Sequence, residues 1–424
     1  YQTVLPESIS GSCVVGGDFD RDGDLDLFIG GRVIPGSYPL APKSTPLRND
    51  TPKNGAPKFT DITESIMGMT DLGMVTAALW TDFNDDTWLD LIIVGEFMPI
   101  KMFVNHQGTL DLTQPAGIEH SEGWWNSITG GDFDQDGDTD YLIGNLGLNT
   151  KYQASKEEPL CIYASDYDKN GRIDPVLCYY LDGKNYIAHT RDEIIRQISA
   201  MRARFRTYEE YAEVEFDQSF LPSELEAAYV VHATRFESSY LRNEGDGSFT
   251  LLELPIEAQI APVYGMITGD FDGNGTLDAL LTGNSYSTEV STGRYDASFG
   301  LVLSMENGVW KNLKLNESGF QNKGDAKALV KYQLNQRNWV MVTNNNDQAK
   351  SFFPSLPSRV ILPDATEQFA NLYYADGTQR KIEFYHGAGY LSQSTRFYEV
   401  DHRVTKLVIT NNQGQSRELA INAN

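Results

Sequence analysis

The nine-residue stretch Asp18-Phe-Asp-Arg-Asp-Gly-Asp-Leu-Asp26 recurs four times, and nothing else in the chain constrains its folding as strongly. The copies are Asp82-Phe-Asn-Asp-Asp-Thr-Trp-Leu-Asp90, Asp132-Phe-Asp-Gln-Asp-Gly-Asp-Thr-Asp140, Asp166-Tyr-Asp-Lys-Asn-Gly-Arg-Ile-Asp174 and Asp270-Phe-Asp-Gly-Asn-Gly-Thr-Leu-Asp278. Each reads D-x-[DN]-x-[DN]-G-x-x-D with an aromatic second residue, except that Thr87 stands where glycine is expected. Alternating carboxylates on a tight loop put several hard oxygens on one side of the backbone. That suits calcium, which takes roughly six to eight oxygen ligands in a flexible shell. Positions 1, 3, 5 and 9 are the expected side-chain ligands and position 7 a carbonyl ligand, while glycine at position 6 permits a positive φ.

The candidate metal ligands are therefore Asp18, Asp20, Asp22, Asp24 and Asp26 in the first loop, and Asp82, Asn84, Asp86, Trp88 and Asp90 in the second. They continue with Asp132, Asp134, Asp136, Asp138 and Asp140 in the third, and Asp166, Asp168, Asn170, Arg172 and Asp174 in the fourth. Asp270, Asp272, Asn274, Thr276 and Asp278 complete the fifth. Up to five calcium ions are expected, and the 82–90 loop, lacking its glycine, has the weakest claim to one. An EF-hand loop begins in the same way but needs a glutamate at position 12. Here that position holds Ile29, Ile93, Ile143, Leu177 and Leu281, and the residues after each loop read as strand, so the loops are set between β-strands.

The formal charge of -25 is largely a property of these loops, which carry twenty of the 59 acidic side chains. Such a surface repels phosphates, and no basic stripe compensates, so nucleic acid is not an expected partner. No run of about eighteen apolar residues is present to span a membrane as a helix. The chain starts at Tyr1, which reads as a piece of a longer polypeptide. Calcium loops of moderate affinity fit millimolar external calcium. The expected location is extracellular, at the cell surface or periplasmic. Cys161 and Cys178 flank the fourth loop and have the option of pairing, but buried free thiols are the reading preferred from sequence.

Around each loop a short apolar strand, the loop and a second apolar strand ending in glycine recur with a spacing near fifty residues, which predicts a β-propeller or array. Outer strands carry their own tags in Leu47-Arg-Asn49, Met102-Phe-Val-Asn105 and Leu241-Arg-Asn243. The expectation is an all-β fold: a propeller of about seven blades over 1–357, with a helical insertion at about 190–228, and a small β domain over 358–424. The insertion is marked by three S/T-x-x-E capping boxes at Thr190, Thr207 and Ser223. Ala227 to Leu254 reads as a blade without its acidic loop, and Ala326 to Phe353 as a last one.

The five loops in this strand context resemble the FG-GAP or VCBS repeats of integrin-type propellers. The tail His386-Gly-Ala-Gly-Tyr-Leu-Ser-Gln-Ser394 with Val404-Thr-Lys-Leu-Val-Ile409 resembles the ASPIC/UnbV domain of cartilage-acidic-protein-like sequences. The pair in this order is similar to large bacterial cell-envelope proteins. The resemblance implies a calcium-stiffened propeller used in binding or surface assembly. The tail departs from it at Thr410-Asn-Asn-Gln-Gly414, where that family often has a Trp-Pro-x-Gly turn.

The six histidines form no H-E-x-x-H pair, and neither a G-x-S-x-G elbow nor a phosphate-cradling glycine loop is present. Two stretches outside the loops are candidate ligand sites. Gly123-Trp-Trp-Asn126 offers Trp124, Trp125 and Asn126 for stacking on a sugar face, with Asn145 nearby. The long connection Tyr286 to Tyr295 adds Tyr286, Glu289, Arg294 and Tyr295. The alternative for the tryptophans is packing between blades. The functional expectation is a non-enzymatic recognition or adhesion module for a glycan or protein partner. Its rivals are a carbohydrate-active propeller enzyme of lyase or dehydratase type, with a base such as His189 or Tyr295 beside an arginine, and a structural spacer.

Overall fold

The computed structural model describes residues 10–335, 337–353, 359–400 and 402–421. Every acidic loop is the turn of an antiparallel hairpin. The first joins Gly11–Gly17 to Asp26–Gly31, the second Met74–Thr81 to Asp90–Met98, and the third Ser127–Gly131 to Asp140–Gly144. The fourth joins Leu160–Ser165 to Asp174–Leu181, and the fifth Val263–Gly269 to Asp278–Gly283. The strands of the second hairpin are buried at every residue. Their near-continuous apolar run is the mark of strands covered on both faces.

Two outer strands complete the first sheet (Thr45–Asn49, Phe59–Asp61), the second (Lys101–Asn105, Leu110–Thr113) and that of the fifth loop, the fourth blade-like sheet (Leu301–Glu306, Val309–Leu313). A fifth sheet has three strands, Ala326–Leu334, Arg337–Asn344 and Lys350–Phe352. Innermost strands pack in succession, from Gly11–Gly17 onto Met74–Thr81, Ser127–Gly131, Val263–Gly269 and finally Ala326–Leu334. The fold is thus all-β and propeller-like, with five blade-like sheets among the described residues rather than about seven.

The difference has a specific cause in the third sheet. Its outer strands are Ser239–Asn243 and Phe249–Glu253, so the chain leaves this sheet after Gly144 and returns nearly a hundred residues later. The excursion builds a separate four-stranded sheet from Leu160–Ser165, Asp174–Leu181, Lys184–Ile187 and Tyr229–Ala233. The fourth acidic loop therefore lies in this inserted sheet, and Ala227 to Leu254 is not one blade but parts of two sheets. Short helices at Arg191–Gln197, Met201–Arg204, Tyr208–Glu213 and Pro222–Glu226 fill the rest. Thr190 and Thr207 cap as their boxes require, whereas the last helix begins at Pro222 after Leu221 rather than at Ser223, with proline preset for the first turn. Ile194, Ile198, Met201 and Phe205 are all buried against the inserted sheet with Val176 and Cys178.

Cys161 and Cys178 form a disulfide, contrary to the free thiols expected. They are direct cross-strand partners with Cα atoms 5.0 Å apart, a separation a disulfide spans.

The C-terminal sheet consists of Gln379–Glu383, Glu367–Tyr374, Val404–Asn411 and Ser416–Ala420, with a side ribbon of Arg359–Ile361 and Tyr398–Val400. The expected boundary at 357/358 lies outside the described residues. From this sheet the segment 385–395 crosses the hub of the propeller. The Gly16 amide donates to His386 O at 3.0 Å on the first sheet, and the Thr395 amide donates to Lys331 O at 2.9 Å on the fifth. Between those ends Tyr385 lies over Gly130 of the third sheet, and Tyr390 packs on Tyr264 of the fourth with ring centroids 4.9 Å apart. The segment thereby ties the two ends of the series together. Gly387 makes its turn with a φ of +88°, and a Cβ there would lie 2.5 Å from Val14 O. Gly387→Ala is expected to destabilise the chain by at least about 1–3 kcal/mol, the cost of a strained backbone position, read as a lowered urea midpoint.

Candidate functional site

Two regions concentrate chemistry, at opposite ends of the inner strands. At one end are the acidic loops. In the first, second and third loops the ninth-position aspartate accepts the amide of the aromatic second residue: Phe19 to Asp26 at 3.2 Å, Phe83 to Asp90 at 3.2 Å and Phe133 to Asp140 at 3.3 Å. Phe271 makes the same bond to Asp278 at 2.7 Å. The first aspartate accepts the amide of residue six, as Gly23 to Asp18 at 3.0 Å and Gly275 to Asp270 at 3.0 Å. The asparagine tags of the outer strands hold the loops from behind. The Asn49, Asn105 and Asn243 amides donate to the other oxygen of Asp26, Asp90 and Asp140 at 2.7, 2.7 and 2.8 Å.

Carboxylate oxygens converge to within 4.8 Å of one another in four loops, at Asp18, Asp20 and Asp22, at Asp132, Asp134 and Asp136, at Asp166, Asp168 and Asp174, and at Asp270, Asp272 and Asp278. Asp18 Oδ1, Asp132 Oδ1, Asp168 Oδ1 and Asp278 Oδ1 are buried without a protein hydrogen bond. Burial pushes the carboxyls of Asp26 and Asp140 up to about 8 and that of Asp278 up to about 7, with repulsion from neighbouring aspartates adding to it. Bare buried oxygens on residues that resist ionisation form a donor set that fits a hard divalent cation, which would favour the charged form. Asp24 and Asp138, at position 7, are not among these converging carboxylates.

The second loop keeps the shape, but with Asn84 at position 3 it does not assemble three carboxylates. Thr87 adopts a φ of +75°, in the region glycine occupies in its sister loops. Arg21 from the first loop clamps it, donating to Thr87 O at 2.6 Å and to Thr87 Oγ1 at 2.7 Å, with its guanidinium 3.9 Å over the Trp88 ring.

At the opposite strand ends lies a cavity of about 420 Å³. Its volume falls in the roughly 300–1,000 Å³ range of small-ligand sites. Trp124, Tyr38, Tyr152, Tyr264 and Tyr295 give it aromatic walls, and Asn126, Glu96, His189 and Glu289 line it with polar groups. Trp124 is half-buried and packs against Phe97 with ring centroids 4.9 Å apart. Asn126 is only 4% exposed, and its side-chain nitrogen has no hydrogen-bond partner. Burial lowers the His189 pKa below its usual value, so the ring is neutral near pH 7. His189 Nε2 accepts the Leu177 amide at 3.3 Å, which places the ring proton on Nδ1. Glu96 pairs with Arg32, and Glu289 lies 3.7 Å from Lys151. The long connection reaches the cavity because Ser285 and Tyr295 pair across its base, at 2.8 and 2.9 Å.

The cavity thus gathers Trp124, Asn126, Glu289 and Tyr295 from the residues singled out in sequence. It does not include the others. Trp125 is fully buried, with its indole nitrogen donating to Ser121 O at 2.9 Å, so it is a packing residue. Asn145 is also fully buried and bonds the backbone of Arg235 and Glu237 at 3.3 and 3.2 Å. Arg294 stacks on Tyr286 at 5.1 Å, and neither is among the cavity's lining residues. Tyr38, Glu96, Tyr152 and Tyr264 went unrecognised, because they come from four separated segments, two loops and two strands, and carry no local pattern. His189 and Tyr295 do share the cavity, but no arginine is among its described lining residues.

Residues 82–143 match the profile of the FG-GAP-like repeat. Among curated proteins there is no match. Among solved structures, the chain is similar to an Agrocybe aegerita lectin described as recognising non-reducing terminal N-acetylglucosamine, at 15% identity, over 98% of this chain and 81% of that one, with a TM-score of 0.34. It is also similar to the V. cholerae biofilm matrix protein Bap1, at 11% identity, over 97% of this chain and 59% of that one, with a TM-score of 0.22. Likenesses this distant carry no ligand across.

The two adjacent tryptophans separate cleanly by experiment. Trp125→Ala is expected to cost about 3–5 kcal/mol in urea unfolding, as a large buried aromatic does, and Trp124→Ala clearly less.

Proposed function

We propose that the chain is a non-enzymatic recognition module that seats a neutral saccharide unit of a glycan in the cavity beside Trp124. The observation carrying this reading is the wall composition. Half-exposed aromatic faces provide stacking surface for the apolar face of a sugar ring. The Asn126 amide and the His189 imidazole add hydrogen-bonding groups, and the carboxylates of Glu96 and Glu289 add acceptors. Each carboxylate already has a cationic partner, so the lining offers no free positive charge to recruit a phosphate or sulfate. A polar but charge-balanced pocket with aromatic walls favours a hydroxyl-rich neutral ligand.

The acidic loops serve the scaffold in this reading. Asp18, Asp20, Asp22 and Asp26, with their counterparts in the third, fourth and fifth loops, would hold calcium. The bound ion would supply charge compensation that lets the buried carboxylates stay ionised. External calcium and the Cys161–Cys178 disulfide both favour an exported protein at the cell surface or in the envelope. The C-terminal sheet, with its hub-crossing segment, is the part that resembles an ASPIC/UnbV domain.

A glycan array probed with the whole chain is expected to show binding to neutral glycans, and Trp124→Ala to weaken it at least tenfold while leaving the melting temperature nearly unchanged. Binding that ignores Trp124, or an array with no neutral ligand, would sink the cavity assignment. Separately, EGTA is expected to lower the melting temperature by roughly 10 °C. This assumes sites held at about a hundred times their Kd and an unfolding entropy that scales with chain length.

A further inference from the structure

We propose that the second acidic loop takes no metal ion because Lys381 of the C-terminal domain and Arg21 of the first loop are its built-in cations. The inference rests on reading the other loops as cation sites. Lys381 Nζ lies 2.9 Å from Asp82 Oδ2, 2.9 Å from Asp85 Oδ1 and 3.3 Å from Asp82 O. Its side chain is 3% exposed, and that of Asp82 is 2% exposed, so the pair is removed from water. A buried ammonium is stable only when paired and hydrogen-bonded, and here all three contacts are to oxygens of this loop.

Asp85 is the sequence correlate. It stands at position 4, which is not a ligand position, and the sister loops hold Arg21, Gln135, Lys169 and Gly273 there. An extra carboxylate appears only in the loop that Lys381 enters. That loop also has threonine instead of glycine at position 6 and asparagine instead of aspartate at position 3. Arg21 completes the charge. Its guanidinium donates to the Thr87 carbonyl and hydroxyl, at position 6, and lies over the Trp88 ring. One ammonium and one guanidinium together supply the two positive charges of a divalent ion.

The substitution also makes the second loop an anchor. Glu383, two residues from Lys381, accepts the Thr81 hydroxyl at 2.6 Å and the Asp82 amide at 2.9 Å, and the Lys381 amide reaches Asp132 Oδ2 at 3.3 Å. Asn412 donates to Asp18 Oδ2, Arg380 to Gly275 O, and Arg403 Nη1 to Asn274 O at 2.9 Å. On Asp18, Asp82 and Asp132 alike the domain contacts Oδ2, and Oδ1 is left without a hydrogen bond. Only on the second loop does it pair an ammonium with the loop's own carboxylates, whereas on the fifth Arg380 and Arg403 meet backbone carbonyls. The C-terminal domain therefore keeps one attachment that calcium removal does not touch.

The test counts tightly bound calcium per chain by elemental analysis after dialysis against micromolar calcium. Wild type is expected to hold four ions. Asp136→Ala, at position 5 of the third loop, is expected to hold three, and Asp86→Ala, at position 5 of the second, still four. Asp86 is exposed, so this variant leaves the core untouched. Lys381→Met, which keeps the stem and removes the charge, is expected to hold five. Five ions in wild type, loss of one in Asp86→Ala, or four in Lys381→Met would each overturn the proposal. No bound ion in wild type would instead overturn the reading of the loops themselves.

Discussion

The second residue of the first, second and third acidic loops is the wedge that joins one sheet to the next, and the arrangement of those sheets depends on it. Phe19 stacks on Trp80 of the second sheet with ring centroids 5.7 Å apart, Phe83 meets Phe249 of the third at 6.1 Å, and Phe133 meets Trp310 of the fourth at 5.1 Å. The next sheet reaches back: Asn105 donates to Phe19 O at 2.7 Å and Asn243 to Phe83 O at 2.8 Å. Each loop must therefore keep its shape for its neighbour to pack. A loop of carboxylates keeps its shape only if their mutual repulsion is offset. A cation held in such a loop would therefore act on the core through a single aromatic ring.

The C-terminal domain uses the same surface. It sits on the acidic face, where its Lys381, Arg380, Arg403 and Asn412 find acceptors, and it sends residues 385–395 through the hub. The inner strands are glycine-rich where this segment passes. A side chain on Gly130 would collide with the Tyr385 hydroxyl at 2.2 Å. The cavity lies at the other strand ends, where Tyr390 of the hub-crossing segment packs on its Tyr264 wall. One end of the scaffold carries the acidic loops of the blade-like sheets and the docked C-terminal sheet, and the other carries the cavity.

Much of this was legible in the residues. The loops, their hairpin context, the all-β class and the glycines that permit the tight turns follow from a nine-residue pattern with local physical meaning. The asparagine tags were visible too, though their role of holding the ninth-position aspartate was not. Less legible was which sheet a strand joins. Tyr229–Ala233 and Ser239–Asn243 are neighbours in sequence, yet one pairs with Leu160–Ser165 and the other with Asp140–Gly144. Periodicity reports that a residue faces a core, but not which core. The same limit separates Trp124 from Trp125, adjacent and chemically identical, of which one lines a cavity and the other is fully buried.

What the sequence determined by itself is the local chemistry: where a hairpin turns, where hard oxygens gather, where a helix is capped. These depend on residues within about ten positions of one another, so the pattern carries them. Tertiary structure alone decided the rest. It placed Lys381 almost three hundred residues from Asp82 in the same buried pocket, drew Tyr38, Trp124, Tyr152, Tyr264 and Tyr295 around one cavity, and spent the tail of the chain on closing the hub. Such contacts are set by how sheets pack in space, and a charge or a ring bears no mark in sequence of the distant partner that will neutralise or cover it.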